Sequence, residues 1–283
     1  MYRIVRKKVL TPALVRLDIE APLIAKKAQP GQFIILRVDE GGERIPITVH
    51  DYDREEGTVA IIVRIVGATS MKLSQLKEGD CLHDFVGPLG KPTELEGYKR
   101  IAVVAGGVGA AIAYPVAKKL HAQGTEIEIF SGYRTKDVVV LEDEFRGVCD
   151  RLYIATNDGS YVRKAMVPVL LDEQLHAGAG YDLVFAVGPM PMMKAVCQVT
   201  KRYDVPTICS MSPIMVDGTG MCGCCRLSVD GEIKFACVDG PDFDGHKIEW
   251  EEAVARSAMY GEWERHKYEE TCNLLNQEVW PYA

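Results

Sequence analysis

Residues 100–124 read RIAVVAGGVGAAIAYPVAKKLHAQG. The apolar run at its start has the length and composition of a buried strand, and it ends in glycines. AAIAYPVAKKLHAQG then reads as a helix closed by Lys118-Lys119 and Gly124, the charges and the glycine that favour a helix C-terminus. A strand that turns through glycines into a helix is the opening of a βαβ unit. At Gly106, Gly107 and Gly109 the backbone N–H groups would face an anion such as a pyrophosphate, and the helix dipole would favour it. The spacing is not G-x-G-x-x-G, so a plain structural turn remains the alternative.

Downstream the alternation continues. EIEIFSGY, RLYIATND and YDLVFAVGP read as strands, with DEFRGVCD and MPMMKAVCQVTKRY as helices among them. Strands alternating with helices imply a parallel sheet. VGPMPMM places Gly188, Pro189 and Met190 at the end of a late strand, where open parallel sheets bind ligands; core packing would also use a Pro-Met turn. Upstream, ALVRLDIEA, QFIILRVD, IPITVHDYD and TVAIIVRIV are short β-branched runs separated by Gly, Pro and acidic turns, the rhythm of a small barrel or sandwich. The expected organisation is therefore a β-barrel domain over 1–97, an α/β parallel-sheet nucleotide-binding domain over 98–206, a loop-rich segment over 207–245 and a tail over 246–283.

Composition bounds the function. The net charge of -7 argues against a nucleic-acid surface. The longest uncharged run, Ile101 to Ala117, holds three glycines and a proline and falls short of the roughly 18 apolar residues of a membrane span. With no apolar leader at its start, the chain is expected to be cytoplasmic, without a membrane partner. Nine cysteines are then mostly reduced.

Four of the nine crowd together at 222, 224, 225 and 237. With Asp217 the spacing is D-x4-C-x2-C-x11-C, which matches the plant-type 2Fe–2S ferredoxin pattern with Asp in the first ligand position. A carboxylate is a harder donor than thiolate but can ligate ferric iron. Glycines at 218, 220 and 223 would let the backbone wrap the cluster. Structural zinc takes paired knuckles, and here there is no second C-x2-C and only His246 nearby. Asp217 before Gly218 could instead be a turn residue, leaving Cys224 as the fourth ligand; the spacing favours Asp217.

The order of these parts resembles the ferredoxin–NAD(P) reductase superfamily. More narrowly, residues 1 to about 245 are similar to electron-transfer subunits related to that of class 1B dihydroorotate dehydrogenase. The resemblance implies FAD in the first domain. Arg44, Pro46, Ile47 and Thr48 match its Arg-Pro-(Ser/Thr) flavin motif. Val63, Gly67, Thr69 and Ser70, in VRIVGATS, match its pyrophosphate turn. An Arg can pair with a phosphate, although the aromatic usual in the flavin motif is missing. Asp217 beside Cys222, Cys225 and Cys237 resembles the small subunits of electron-bifurcating NADH-dependent ferredoxin:NADP oxidoreductases.

That resemblance implies three cofactors, NAD(H), FAD and a 2Fe–2S cluster. It also implies a larger flavin and iron–sulfur partner subunit carrying the NADPH and ferredoxin branch. Hydride transfer needs no acid–base residue, so no catalytic side chain is named. A dihydroorotate dehydrogenase subunit, another NAD(P)H reductase and a non-catalytic redox sensor are the alternatives. The tail carries Trp250, Tyr260, Trp263, Tyr268, Trp280 and Tyr282. Aromatics are enriched at interfaces, so packing on a partner or on the chain's own body are both open.

Overall fold

In the computed structural model, residues 1–274 are described. The first domain contains β1 (Tyr2–Thr11), β2 (Leu14–Glu20), α1 (Pro22–Lys27), β3 (Phe33–Arg37), β4 (Ile45–Thr48), β5 (Asp51–Asp53), β6 (Thr58–Arg64), α2 (Ala68–Gln75), β7 (Cys81–Leu82) and β8 (Asp84–Leu89). Two antiparallel sheets form, in the orders β5-β6-β2-β1-β7 and β4-β3-β8. Leu17 pairs with Ile61 and Ile19 with Val59 across β2 and β6. Their side chains close on Ile4, Ile34, Leu36 and Phe85 between the sheets. Each such fully buried side chain contributes about 1.5–3 kcal/mol. The run IPITVHDYD divides into two strands, because the chain leaves one sheet after Thr48 and joins the other at Asp51. Helix α2 departs from the all-β expectation; at eight residues it is too short to show a helical period in sequence.

The second domain contains β9 (Arg100–Gly106), α3 (Gly109–Ala122), β10 (Glu126–Tyr133), α4 (Glu142–Arg146), β11 (Arg151–Thr156), α5 (Val167–His176), β12 (Leu183–Val187), α6 (Met190–Arg202) and β13 (Thr207–Ser210). Its strand order is β11-β10-β9-β12-β13, with every neighbouring pair parallel. The order reverses between β9 and β12, and the crevice at such a switch point is where open α/β sheets bind ligands. Both faces of β9 are buried: Ile101, Val103 and Ala105 pack in one core and Ala102 and Val104 in another. That explains its continuous rather than alternating apolar run.

Beyond β13 come β14 (Arg226–Val229), β15 (Glu232–Phe235), β16 (Asp242–Asp244), α7 (Trp250–Ser257) and α8 (Gly261–Leu274). The hairpin β14–β15 turns at Asp230 and Gly231, both at positive φ, as the Asp-Gly pair favours. Strand β16 pairs antiparallel with β13, so the cysteine segment is sewn onto the edge of the nucleotide sheet. In the tail, Trp250 is buried and its Nε1 donates to Gly245 O at 3.0 Å. Tyr268 and Cys272 of α8 pack on Ile65 and on Met71 of α2. Tyr260 and Trp263 are more than half exposed, and Trp280 and Tyr282 lie outside the described residues. Among the described residues no helix is long and apolar enough to cross a membrane.

Candidate functional site

Strand β4 lies with its side chains half-buried. Pro46 and Thr48 line a narrow crevice together with Ile112 of α3, Met215, Pro241, and Ser210, Met211 and Ser212 at the end of β13. The barrel, the nucleotide sheet and the cysteine segment therefore meet at one place. Of the other flavin-motif residues, Val63 is buried in the barrel core and Ile47 packs against it, so both shape the strands behind the crevice. A larger hollow of about 320 Å³ lies elsewhere, lined by Arg6, Lys8, Arg16, Asp18 and Glu144. It contains none of the expected site residues.

The glycines of the nucleotide loops divide by role. A Cβ on Gly109 would lie 2.4 Å from Val187 O, and one on Gly188 would lie 3.0 Å from Gly106 backbone. One on Gly106 would meet Met192 Sδ at 2.4 Å and Pro189 Cδ at 3.0 Å. These three glycines let the two loops touch. Gly107 differs: at φ +56° its missing side chain faces open space, with nothing within 4 Å. Its N–H donates to Gly132 O at 2.9 Å, tying the loop to the end of β10. Pro189 caps α6 and Met190 opens it. The loop thus offers a Cβ-free face beside a helix N-terminus, which suits a dinucleotide pyrophosphate.

The second turn, at Gly67, is built similarly. Ser70 Oγ accepts from the N–H groups of Val66 and Gly67, each at 2.9 Å, and donates to Gly67 O at 2.9 Å. Thr69 Oγ1 donates to Glu43. The Ser70 hydroxyl holds the turn itself, and that of Thr69 ties it to the β3–β4 connection. A Cβ on Gly67 would meet nothing within 4 Å, and the first-turn N–H groups of α2 have no intrahelical acceptors. That open N-terminus fits a second pyrophosphate. Arg44 points elsewhere: its Nε donates to Val216 O at 3.2 Å and its Nη2 to Asp217 O at 3.4 Å. It joins the flavin strand to the cysteine loop.

In that loop Cys225 Sγ donates to Cys237 Sγ at 3.2 Å, both thiols buried. Burial pushes the Cys237 thiol up to about 12, so it stays protonated unless a cation shares its charge. Cys222 is exposed, and backbone N–H groups, that of Cys224 foremost, hold its thiol below the usual range. Asp217 turns back on its own loop. Its Oδ2 accepts from Thr219 N at 2.8 Å, Thr219 Oγ1 at 2.5 Å and Met221 N at 3.3 Å. Among the described residues no three of these donors are gathered as a metal site. Two buried thiols in contact, a third eased toward thiolate by backbone N–H groups, and a glycine-rich loop between them are a donor set that suits iron–sulfur ligation.

The sequence pattern did not point to Ile112 or to the Ser210-Met211-Ser212 stretch of the crevice. That stretch ends a parallel strand, as VGPMPMM does, and the same rule about carboxyl ends of strands would have flagged it.

The iron–sulfur cluster binding domain family of dihydroorotate dehydrogenase B matches residues 212–249. The sequence is 46% identical over 269 residues to the dihydroorotate dehydrogenase B (NAD(+)) electron transfer subunit homolog of Thermotoga maritima, covering 95% of each chain. It is 33% identical over 251 residues to the corresponding electron transfer subunit of Desulforamulus reducens, covering 86% of this chain and 95% of that one. A chain in the NADH-dependent reduced ferredoxin-NADP oxidoreductase structure, solved for insight into flavin-based electron bifurcation, superposes with a TM-score of 0.90 at 44% identity. The match covers 95% of this chain and 97% of that one.

Proposed function

Because this chain belongs to the family of dihydroorotate dehydrogenase B-type electron-transfer subunits, we propose that it serves the NAD(H) branch of a flavin-based electron-bifurcating ferredoxin:NADP oxidoreductase. Electron-transfer subunits work beside a larger partner. In this reading the partner is a flavin and iron–sulfur subunit carrying the NADPH and ferredoxin chemistry. One observation carries the reading: the flavin strand, helix α3 of the nucleotide unit and the segments that flank the cysteine loop line a single crevice, and Arg44 reaches from the start of the flavin strand to the cysteine loop.

When bound, FAD exchanges a hydride with NAD(H) and single electrons with the 2Fe–2S cluster. The chain's part is to hold these groups at fixed distances. Pro46 and Thr48 would border the flavin ring, and the Gly67 turn with the α2 N-terminus would take its pyrophosphate. Gly107 would admit the NAD pyrophosphate, while Gly106, Gly109, Gly188, Pro189 and Met190 hold the two loops against each other. Cys222, Cys225 and Cys237 would supply thiolates, with Asp217 as the fourth donor. Arg44 keeps the loop that bears Asp217 against the flavin strand.

A second reading has its own support in the 212–249 family match: the same subunit could serve an NAD-linked dihydroorotate dehydrogenase. Asp217 in the first ligand position favours the bifurcating complex. Purification with the native partner, with iron, sulfide and flavin counted per subunit and NADH added anaerobically, tests both. The expected result is one FAD and one 2Fe–2S cluster on this chain, flavin bleaching by NADH, and a co-purifying flavoprotein that reduces NADP. Dihydroorotate oxidation by that partner would select the second reading. Holoprotein that NADH does not bleach would sink both.

A further inference from the structure

His50 lies two residues beyond Thr48, on the connection from β4 to β5, and is 1% exposed. Its backbone N–H donates to Ala60 O at 2.9 Å, which anchors it in the barrel. Its side chain leaves the barrel: Nδ1 lies 2.9 Å from Ala111 O, in the first turn of α3. A carbonyl only accepts, so Nδ1 carries the proton and Nε2 is bare. Among the described residues Nε2 has no partner. The ring lies against Tyr114, centroids 5.2 Å apart.

The acceptor is unusual for a reason written in the helix. In an α-helix the carbonyl of residue 111 is served by the N–H of residue 115. Residue 115 is proline, inside α3, and it has no N–H. Ala111 O therefore loses its helical donor in a buried place, where an unpaired carbonyl is costly. His50 supplies the donor from the other domain. The next residue repeats the link two turns along the helix, where Lys118 Nζ donates to both carboxylate oxygens of Asp51 at 2.9 Å. Ile112 and Thr48, the immediate neighbours of this junction, line the crevice.

We propose that His50 is a positioning residue for hydride transfer. Its bond to the carbonyl that Pro115 leaves open bolts the pyrophosphate helix to the flavin strand and sets the approach of nicotinamide to flavin. The inference rests on the nucleotide and flavin assignments made above. Tyr114 on α3 lies against the imidazole, the charges of Arg16 on β2, Asp51 on β5 and Glu144 on α4 act on it, and burial is the chief influence keeping it neutral. Protonation would place a second N–H on the side where Nε2 has no acceptor.

The test is stopped-flow bleaching of the flavin by NADH in the full-length holoprotein, alongside thermal melting. His50→Phe keeps a ring but loses the donor. At saturating NADH the bleaching rate constant should fall roughly tenfold, as small misplacements of reacting groups do. The NADH dissociation constant should change by less than about twofold, since the dinucleotide's contacts lie on one side of the bolt. His50→Asn, whose amide N–H can take the place of Nδ1–H, should recover most of the rate.

His50→Phe combined with Pro115→Ala separates positioning from mere stability and guards against a misfolded single variant. The alanine restores the helical N–H, so the melting temperature should recover while the rate stays low. A rate that recovers together with the melting temperature would overturn the proposal, as would a His50→Phe protein that bleaches at the wild-type rate. If NADH fails to bleach the wild-type flavin, the functional reading falls and the positioning role falls with it.

Discussion

The nucleotide loop and the cysteine loop are both glycine-rich turns, yet they differ in how much their own polar groups hold them. Around Gly106, Gly109 and Gly188 a single added methyl would run into backbone or a packed side chain. That loop owes its shape to the residues packed against it. The cysteine loop combines internal hydrogen bonds with anchors from outside: Arg44 holds the carbonyls of Val216 and Asp217, and Gly218 lies against Ile35 and Leu89 of the barrel. Asp217 accepts three hydrogen bonds from residues two to four positions away, and Cys222 and Met221 face solvent. Of the candidate donors, Cys225 and Cys237 are the two that packing brings into contact. A rigid site recognises a ligand by excluding misfits, whereas a loop of this kind takes its final form with its metal.

The largest effect that would sharpen this contrast comes from the buried thiols. Cys225→Ser should abolish or severely distort the visible spectrum of the cluster, while NADH still bleaches the flavin. Cys224→Ser should leave the spectrum nearly unchanged. Loss of NADH-dependent bleaching in the Cys225 variant would mean that the two loops are not independent. Next in size is Gly107→Val, which should raise the KM for NADH by roughly a hundredfold, because a β-branched side chain would fill the one open face of the loop. Flavin and cluster content should be unchanged. An unaltered KM would make the loop a structural turn only.

A smaller effect is expected from Asp217→Cys. The spacing becomes the plant-type pattern, so a 2Fe–2S centre should persist with a lower reduction potential, since thiolate donates more electron density to ferric iron. Protein-film voltammetry reads this directly. An unmoved potential, together with an unperturbed Asp217→Ala spectrum, would leave Asp217 as the turn acceptor it already is.

The smallest effect is a pH dependence that distinguishes the bolt from the loop. Burial lowers the His50 pKa from its ordinary 6.5. Below 6.5 the unfolded chain binds a proton that the folded chain refuses, so stability falls as pH drops from there toward the folded value. His50→Phe should flatten the melting temperature over that window. The Thr219 hydroxyl holds the Asp217 carboxyl below the usual range, so the cysteine loop's own contribution should persist to lower pH. Melting curves of wild type and variant that stay parallel between about pH 7 and 5 would remove His50 as the source.

Much of the fold was legible because its signals are local. The β9–loop–α3 unit declares itself by an apolar run, glycines and a charged helix end, and the hairpin by Asp230-Gly231. Helix α2 was not legible, since eight residues carry little period. Strand β16 was hidden for another reason: three residues beside a cluster of turns become a strand only because β13 offers an open edge. For the tail, aromatic content could not choose between partners. The packing of Tyr268 and Cys272 on Ile65 and Met71 places one face of α8 against its own chain.

By itself the sequence determined the chemistry this chain can hold. Spacing proposes Asp217, Cys222, Cys225 and Cys237 as a donor set, with Cys224 the alternative to Asp217, and glycines after strands suggest where phosphates can approach, because both depend on residues close together in the chain. Tertiary structure alone decided which glycine stays open, that Arg44 reaches carbonyls more than a hundred and seventy residues away, and that Pro115 is answered by His50. These are pairings between distant segments. A donor or a gap has no visible partner in sequence until folding brings the other half beside it and burial makes leaving it unpaired costly.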